Sequence, residues 1–192
     1  MARLLCICGK RFAGKDTFAA LLKEQARARG VVLELYAFAG ESKRLFAQQE
    51  KARGVDVELH RLLHDRAYKE GLRPQLTRFT VDAIDRDPLV FCRAVADRIA
   101  AADDAVAVVT DLRLILEVEH LRTRFGLVVV RLRRSDQDRA ASGWRFDAAI
   151  DGHHTETELD DPKWWTAVVD NDGSVEALAP RAAELLDAVL VR

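Results

Sequence analysis

Residues 3–22 read RLLCICGKRFAGKDTFAALL, and the order of residue types in this stretch decides the fold. Arg3–Cys8 is an apolar run short enough for one buried strand. Gly9, Gly14 and Lys15 then nearly complete the phosphate-binding pattern G-x-x-x-x-G-K-[ST], except that Asp16 stands where the pattern has a hydroxyl. From Phe18 the spacing turns helical: Phe18, Leu21, Leu22 and Ala26 share one face. Between a strand and an amphipathic helix, such a loop turns its backbone N–H groups inward, and the helix N-terminus adds partial positive charge. Gly9 and Gly14 permit the curl, Lys10, Arg11, Ala13 and Thr17 complete the loop, and Lys15 is placed to reach terminal phosphates. A bare polyphosphate would repel Asp16, whereas Mg²⁺ lying between them makes the carboxylate favourable. An ordinary strand–helix turn, with Asp16 as its cap, is the bland alternative.

Outward from this stretch the alternation repeats. Strands are expected at 31–37, 105–110, 127–132 and 164–170, and helices at 41–53, 57–69, 88–101 and 113–123. Pro74 reads as a boundary, and Asp87 as the cap of a helix with Pro88 in its first turn. A C-terminal helix places Val175, Leu178, Ala182, Leu185, Leu186 and Val189 on one face. Residues 133–163 are charged and irregular. Strands alternating with helices predict an α/β fold, a mostly parallel sheet covered on both faces, in a single domain over 1–192.

Hydrophobic residues make up 49% of the 192, enough for a full core. The 30 basic and 31 acidic residues give a net charge of −1, which argues against a nucleic-acid or membrane-surface binder. No apolar run approaches the ~20 residues of a membrane span, and no secretory leader pattern is visible. Cys6 and Cys8 fall on one face of a strand, and no Cys-x-x-Cys pair exists. Buried free thiols and a cytoplasmic location are the expectation. The histidines, His153-His154 included, lack metal-site spacing.

Three further groups carry chemistry. Asp111 ends the strand AVAVVT, and ligands gather at the carboxyl ends of strands in parallel sheets. It is read as a second metal-linked carboxylate beside Asp16, or as a helix cap; Arg113, two residues on, is a candidate for an acceptor phosphate. The stretch HRLLHDRAYKEGLRPQLTR at 60–78 puts Lys69 and Arg73 on one helical face, and Arg78, Arg86 and Arg93 continue the series. Together they suit a pocket for a second anion; singly each reads as solvated surface charge. RLRRSDQDRAASGWR at 131–145 supplies Arg131, Arg133, Arg134, Arg139 and Arg145. It reads as a segment closing over the transferring phosphate, or as a basic surface loop.

With these residues in view, the chain resembles the animal-type phosphomevalonate kinases, part of the nucleoside-monophosphate-kinase-like group of phosphate-loop enzymes. GKRFAGKD at 9–16, YKEGLR at 68–73, DPLVFCR at 87–93, TDLR at 110–113 and GW at 143–144 carry the resemblance. It implies a P-loop kinase three-layer sandwich with a five-stranded sheet, an acceptor-binding helical segment at about 41–101 and an arginine-rich lid at about 133–163. It implies ATP with Mg²⁺ as donor and a small phosphorylated acceptor, giving a diphosphate product. Carried over by position, Lys10, Arg11, Lys15 and Asp16 belong to the phosphate loop, and Arg131 and Arg139 to the lid. Lys43, Lys69, Arg73, Arg93 and Arg113 line the acceptor side, and Asp111 matches the strand-end Asp. The pattern departs at Leu114 and Ser142, where the family carries arginines. The GKDT ending and the His-x-x-Glu within HHTETELDD (153–161) are similar to phage-type deoxynucleoside monophosphate kinases. A nucleotide acceptor would then stack on Phe38, Tyr68, Phe79 or Phe91. A non-catalytic nucleotide sensor or GTPase-like switch is the remaining alternative, and no Asn-Lys-x-Asp element supports it. The expected partners are small molecules, with no nucleic acid or membrane, and the expected state is a monomer or small homo-oligomer.

Overall fold

The computed structural model describes residues 3–102 and 106–191. Five strands form one sheet: β1 (Arg3–Cys8), β2 (Leu33–Tyr36), β3 (Val106–Val109), β4 (Gly126–Arg133) and β5 (Ala167–Asp170). Their spatial order is β2-β3-β1-β4-β5, and every pairing is parallel, with Leu4 opposite Ala107 on one side and Leu127 on the other. The expected parallel five-stranded sheet is therefore present. The third strand begins at Val106, and Ala105 of the expected 105–110 lies outside the described residues.

Helix α1 (Lys15–Ala28) follows β1; α2 (Phe38–Ala52), α3 (Leu59–His64), α4 (Arg66–Arg86) and α5 (Val90–Ala101) separate β2 from β3. After β3 come α6 (Ile115–Arg124), then, beyond β4, the short α7 (Asp136–Ala141), α8 (Ala148–Asp151) and α9 (His154–Thr157), and finally α10 (Val175–Val191). Strand alternation sends side chains to both faces of the sheet. Leu5, Ile7, Val108 and Val130 pack under α1 and α10, against Phe18, Leu22, Leu178 and Leu186. Leu4, Cys6, Val109 and Val129 pack on the other face against Phe91, Val95, Val118 and Leu121 of α5 and α6. The result is the three-layer sandwich with helices on both faces.

Cys6, Cys8 and Cys92 share that second core as free thiols; burial pushes Cys6 well up and Cys92 to about 12. A third cluster, Phe46, Ala47, Val57 and Leu62, ties α2, α3 and α4 together. No helix among the described residues is long and apolar enough to cross a membrane.

Local reading misplaced several boundaries. The expected helix 57–69 is two elements, because Asp65 is extended and its carboxylate caps α4 by accepting from Tyr68 N–H at 3.0 Å. Pro74 does not end α4. The missing proline N–H deprives only the carbonyl four residues earlier, at exposed Glu70, where water can take its place. The helix expected from Pro88 begins at Val90, and Asp87 instead holds the preceding turn through Leu89 N–H at 3.0 Å. Trp164 and Trp165 precede β5 and pack against the α5–α6 core. On α10 Val175 is exposed while Leu178, Ala182, Leu186 and Val189 are buried.

Candidate active site

The chain leaving β1 turns to one face of the sheet and that leaving β3 to the other, so a crevice opens between their carboxyl ends. The loop Gly9–Gly14 lies there. Gly9 and Gly14 have φ of +154° and +90°. A Cβ at Gly9 would lie 2.5 Å from the Leu132 carbonyl, and one at Gly14 would lie 2.3 Å from Asn171 Nδ2. Both glycines are thus required by space as well as by conformation. Asn171, buried just past β5, donates to the Ala13 carbonyl at 2.9 Å and fixes the loop from below.

Lys15 folds back over the loop, its ammonium donating to the Gly9 and Lys10 carbonyls at 2.7 and 3.0 Å. Burial, reinforced by Arg113, pushes its pKa down. Asp16 and Thr17 are exposed on the same cleft, and α1 has no side-chain cap, so the capping role considered for Asp16 is not present. The cleft measures about 1250 Å³; Lys15, Asp16, Lys43, Asp111, Arg113 and Arg134 are among its walls.

Asp111 caps a helix whose first residue lies 73 positions upstream. Its two carboxylate oxygens accept from Phe38 N–H at 2.8 Å and Ala39 N–H at 2.9 Å, the first turn of α2. These bonds start α2 three residues before the expected position 41 and join α2 to the sheet. Burial raises the Asp111 pKa, against the pull of the two amides. Glu117 accepts from the N–H groups of Arg113 and Leu114, both at 2.9 Å, and shapes the turn that presents Arg113.

Arg131 of β4 and Arg139 beyond it do not hang free. Residues 145–161 form a strap whose acids meet the cations of the loop. Glu156, buried, accepts from Arg11 N–H at 2.9 Å and ion-pairs with Arg113. Arg113 holds its carboxyl below the usual range, against the opposing effect of burial. Asp160 takes Lys10 and Arg131, each at 2.6 Å. Asp151 lies 2.9 Å from Arg11 Nε and 3.6 Å from Arg139. Arg139 also donates to the Arg11 carbonyl at 3.0 Å and stacks on Trp144 at 3.9 Å. Glu158 and Leu159 pin the strap to α6 and the core, through Ile115 N–H at 2.8 Å and full burial.

The cleft gathers Arg11, Gly14, Lys15, Asp16, Thr17, Lys43, Asp111 and Arg113 of the expected set. Gly9, Lys10, Ala13, Arg131 and Arg139 stand behind its wall as supports. The remaining acceptor candidates are not brought to it. Lys69 is near enough to Lys43 to help lower the Lys43 pKa, after burial. Arg73 is exposed and paired with Glu70 on its own helix. Arg78 lines an outer groove between α2 and α4, and Arg93 is exposed and paired with Asp87. Local reading passed over Glu156, Asp160, Asp151, Glu117 and Asn171. The His-x-x-Glu spacing and the strand-end position of Asn171 were the available signals.

Solved structures over nearly the whole chain share this fold. A sugar kinase from Janibacter sp. aligns with a TM-score of 0.55 at 18% identity, covering 100% of this chain and 98% of that one. A gluconokinase from Sinorhizobium meliloti gives 0.53 at 15% identity, covering 98% and 94%. The APS kinase of Mycobacterium tuberculosis gives 0.55 at 13% identity, covering 97% and 98%. In sequence, a phosphomevalonate kinase of Drosophila melanogaster is 28% identical over 165 residues, 84% of this chain and 83% of the relative. A sequence profile described as phosphomevalonate kinase matches residues 7–127, which hold the loop, helices α2 to α5, Asp111 and Arg113. The chain belongs to the phosphomevalonate kinase family.

Proposed function

We propose that this enzyme transfers the terminal phosphoryl group of ATP to the phosphate of phosphomevalonate, giving ADP and diphosphomevalonate. The observation that supports this reading is a family match over residues 7–127, which include Lys15, Lys43 and Arg113, all lining one cleft. The bond broken joins the terminal phosphorus to the bridging oxygen of ADP, and the bond formed joins it to an oxygen of the acceptor phosphate. That oxygen is already ionised at neutral pH, so no general base is needed. The protein's work is orientation and charge stabilisation. Lys15 and the loop N–H groups hold the donor phosphates, while Lys43 and Arg113 hold the acceptor.

The residues present fit Mg²⁺. This ion takes one or two carboxylates with substrate phosphates completing its shell, and Asp16 and Asp111 both line the cleft. Asp16 has no hydrogen bond of its own among the described residues, and no cage of three or more ligating side chains is present among them. When bound, the ion would neutralise charge on the transferring phosphoryl group. Asp111 would meanwhile keep α2 and Lys43 in place.

A nucleoside monophosphate acceptor has less support. Phe38 and Phe91, named for base stacking, are buried in the core, Phe79 packs against it, and Tyr68 carries Arg61 on its ring at 4.3 Å. The test is ADP release with ATP and either phosphomevalonate or each nucleoside monophosphate. Turnover with phosphomevalonate is expected; turnover with nucleotides alone overturns the acceptor assignment.

A further inference from the structure

Among the cations along β4 and the residues after it, Arg134 differs from its neighbours. Arg131 pairs with Asp160, and Arg139 with Asp136 and Asp151. Arg133 points away from the cleft and makes a two-pronged pair with Asp170, at 2.7 and 3.0 Å. Arg134, one residue on, faces the opposite way and lines the cleft beside Phe12, Gly14, Lys15 and Ser142. It forms no ion pair among the described residues, and its Nε is shielded from solvent with no hydrogen-bond partner. A guanidinium nitrogen withdrawn from water and left unpaired is unfavourable until an acceptor reaches it. Lys15 and Arg11 share this part of the wall, so the missing acceptor is an anion. Beside the glycine loop the anion with matching geometry is a phosphate, whose oxygens fit the guanidinium fork.

Ser142 shares that wall from the end of α7. It is the short, uncharged residue standing where the family pattern has arginine. Arg145 does not fill the gap: it is exposed, and the contact it makes with the loop is through its backbone carbonyl, which accepts from Arg11 at 2.6 Å.

We propose that Arg134 is a catalytic residue that binds the terminal phosphates of ATP, delivering from the end of β4 the charge that Ser142 does not provide. This inference rests on the kinase reading above. Arg134 directly follows β4 and already lines the cleft, and it requires no carboxylate to be displaced before phosphate arrives.

The experiment compares the wild-type chain with Arg134→Gln, Arg134→Lys, Ser142→Arg and the double variant Arg134→Gln/Ser142→Arg. It reads kcat and KM for ATP at saturating phosphomevalonate, and the affinity for a non-hydrolysable ATP analogue. Arg134→Gln is expected to lower kcat about 10- to 100-fold and weaken analogue binding less, with Arg134→Lys intermediate. Ser142→Arg in the Arg134→Gln background is expected to recover about tenfold, since it returns the guanidinium to the same wall. A kcat for Arg134→Gln within about twofold of wild type, or no recovery in the double variant, overturns the proposal. Thermal melting of each variant separates lost folding from lost charge; if Arg134→Gln does not fold, Arg134→Lys decides, and a kcat equal to wild type overturns the proposal. Failure of the wild-type chain to turn over phosphomevalonate defeats the function reading; wild-type turnover with indifference at Arg134 defeats this inference alone.

Discussion

The two walls of the cleft hold their positive charge differently. On the loop side Lys10 and Arg131 meet Asp160 and Arg11 and Arg139 meet Asp151, while Arg113, between the two sides, meets Glu156, all of them acids of the strap. On the helix wall Lys43 has no ion pair among the described residues, and burial and Lys69 push its pKa down. The loop wall is arranged before substrate arrives, with orientation already paid for in folding. Under the proposed function, the acceptor neutralises the charge of the helix wall. Damage to the first is expected to appear in kcat, and damage to the second in the acceptor KM.

The sharpest break is Lys15→Ala. Its ammonium bonds only loop carbonyls among the described residues, so the fold is expected to survive while kcat falls by about 10³-fold or more. Circular dichroism with a coupled ADP assay checks both halves, and near-normal turnover in a folded variant would remove the loop from the chemistry. Next comes Glu156→Gln. The amide keeps an acceptor for Arg11 N–H but loses the charge that holds Arg113. The expected result is a kcat lower by about 10- to 100-fold with a minor change in ATP affinity. An unchanged kcat would mean that the strap only packs the structure.

These predictions also mark what the sequence made legible. The loop, its strand and its helix were readable because each is specified within about ten residues by spacing and glycine positions. The cap on α2 was not, because Asp111 is separated from Phe38 by 73 positions and no local pattern links them. The strap was half legible. The basic residues of 131–145 were visible as a cluster, but the pairing of the strap's acids with Lys10 and Arg11, up to 150 positions away, depends on how β1 and β4 lie side by side. The acceptor arginines erred in the other direction. Arg73 shares helical spacing with Lys69 and Arg78 continues the basic series, yet both are exposed, Arg73 paired with Glu70 and Arg78 on an outer groove.

The helix wall therefore ranks its own residues. Lys43→Met is expected to raise the acceptor KM about tenfold and leave the ATP KM alone. Lys69→Met should do less, and Arg73→Ala or Arg78→Ala less again, within about twofold of wild type. Measured KM values in the reverse order would show that α3 and α4 move to bring the outer arginines onto the acceptor.

The last effect is one of stability rather than turnover and belongs to Glu117, which sits under the turn joining the two walls. Its pKa is pushed from 4.5 up to about 7, chiefly by burial and further by the Asp111 charge, while the Arg113 and Leu114 amides pull it down. Arg113 faces it as a charge, and the nearby thiols Cys6 and Cys92 are held protonated, partly by Glu117 itself. A carboxyl with a folded pKa above its unfolded one binds more protons when folded. Stability is then lost as pH rises through the interval between the two values, here about 4.5 to 7. Glu117→Gln keeps an oxygen for both amides and removes the ionisation. Unfolding free energies from denaturant titrations should nearly match wild type near pH 4.5, and the variant's should exceed wild type near pH 8 by about 3 kcal/mol. A gap between the two proteins that stays constant across that range would show that Glu117 keeps its charge, with the turn itself supplying enough amide bonding to hold a buried carboxylate ionised.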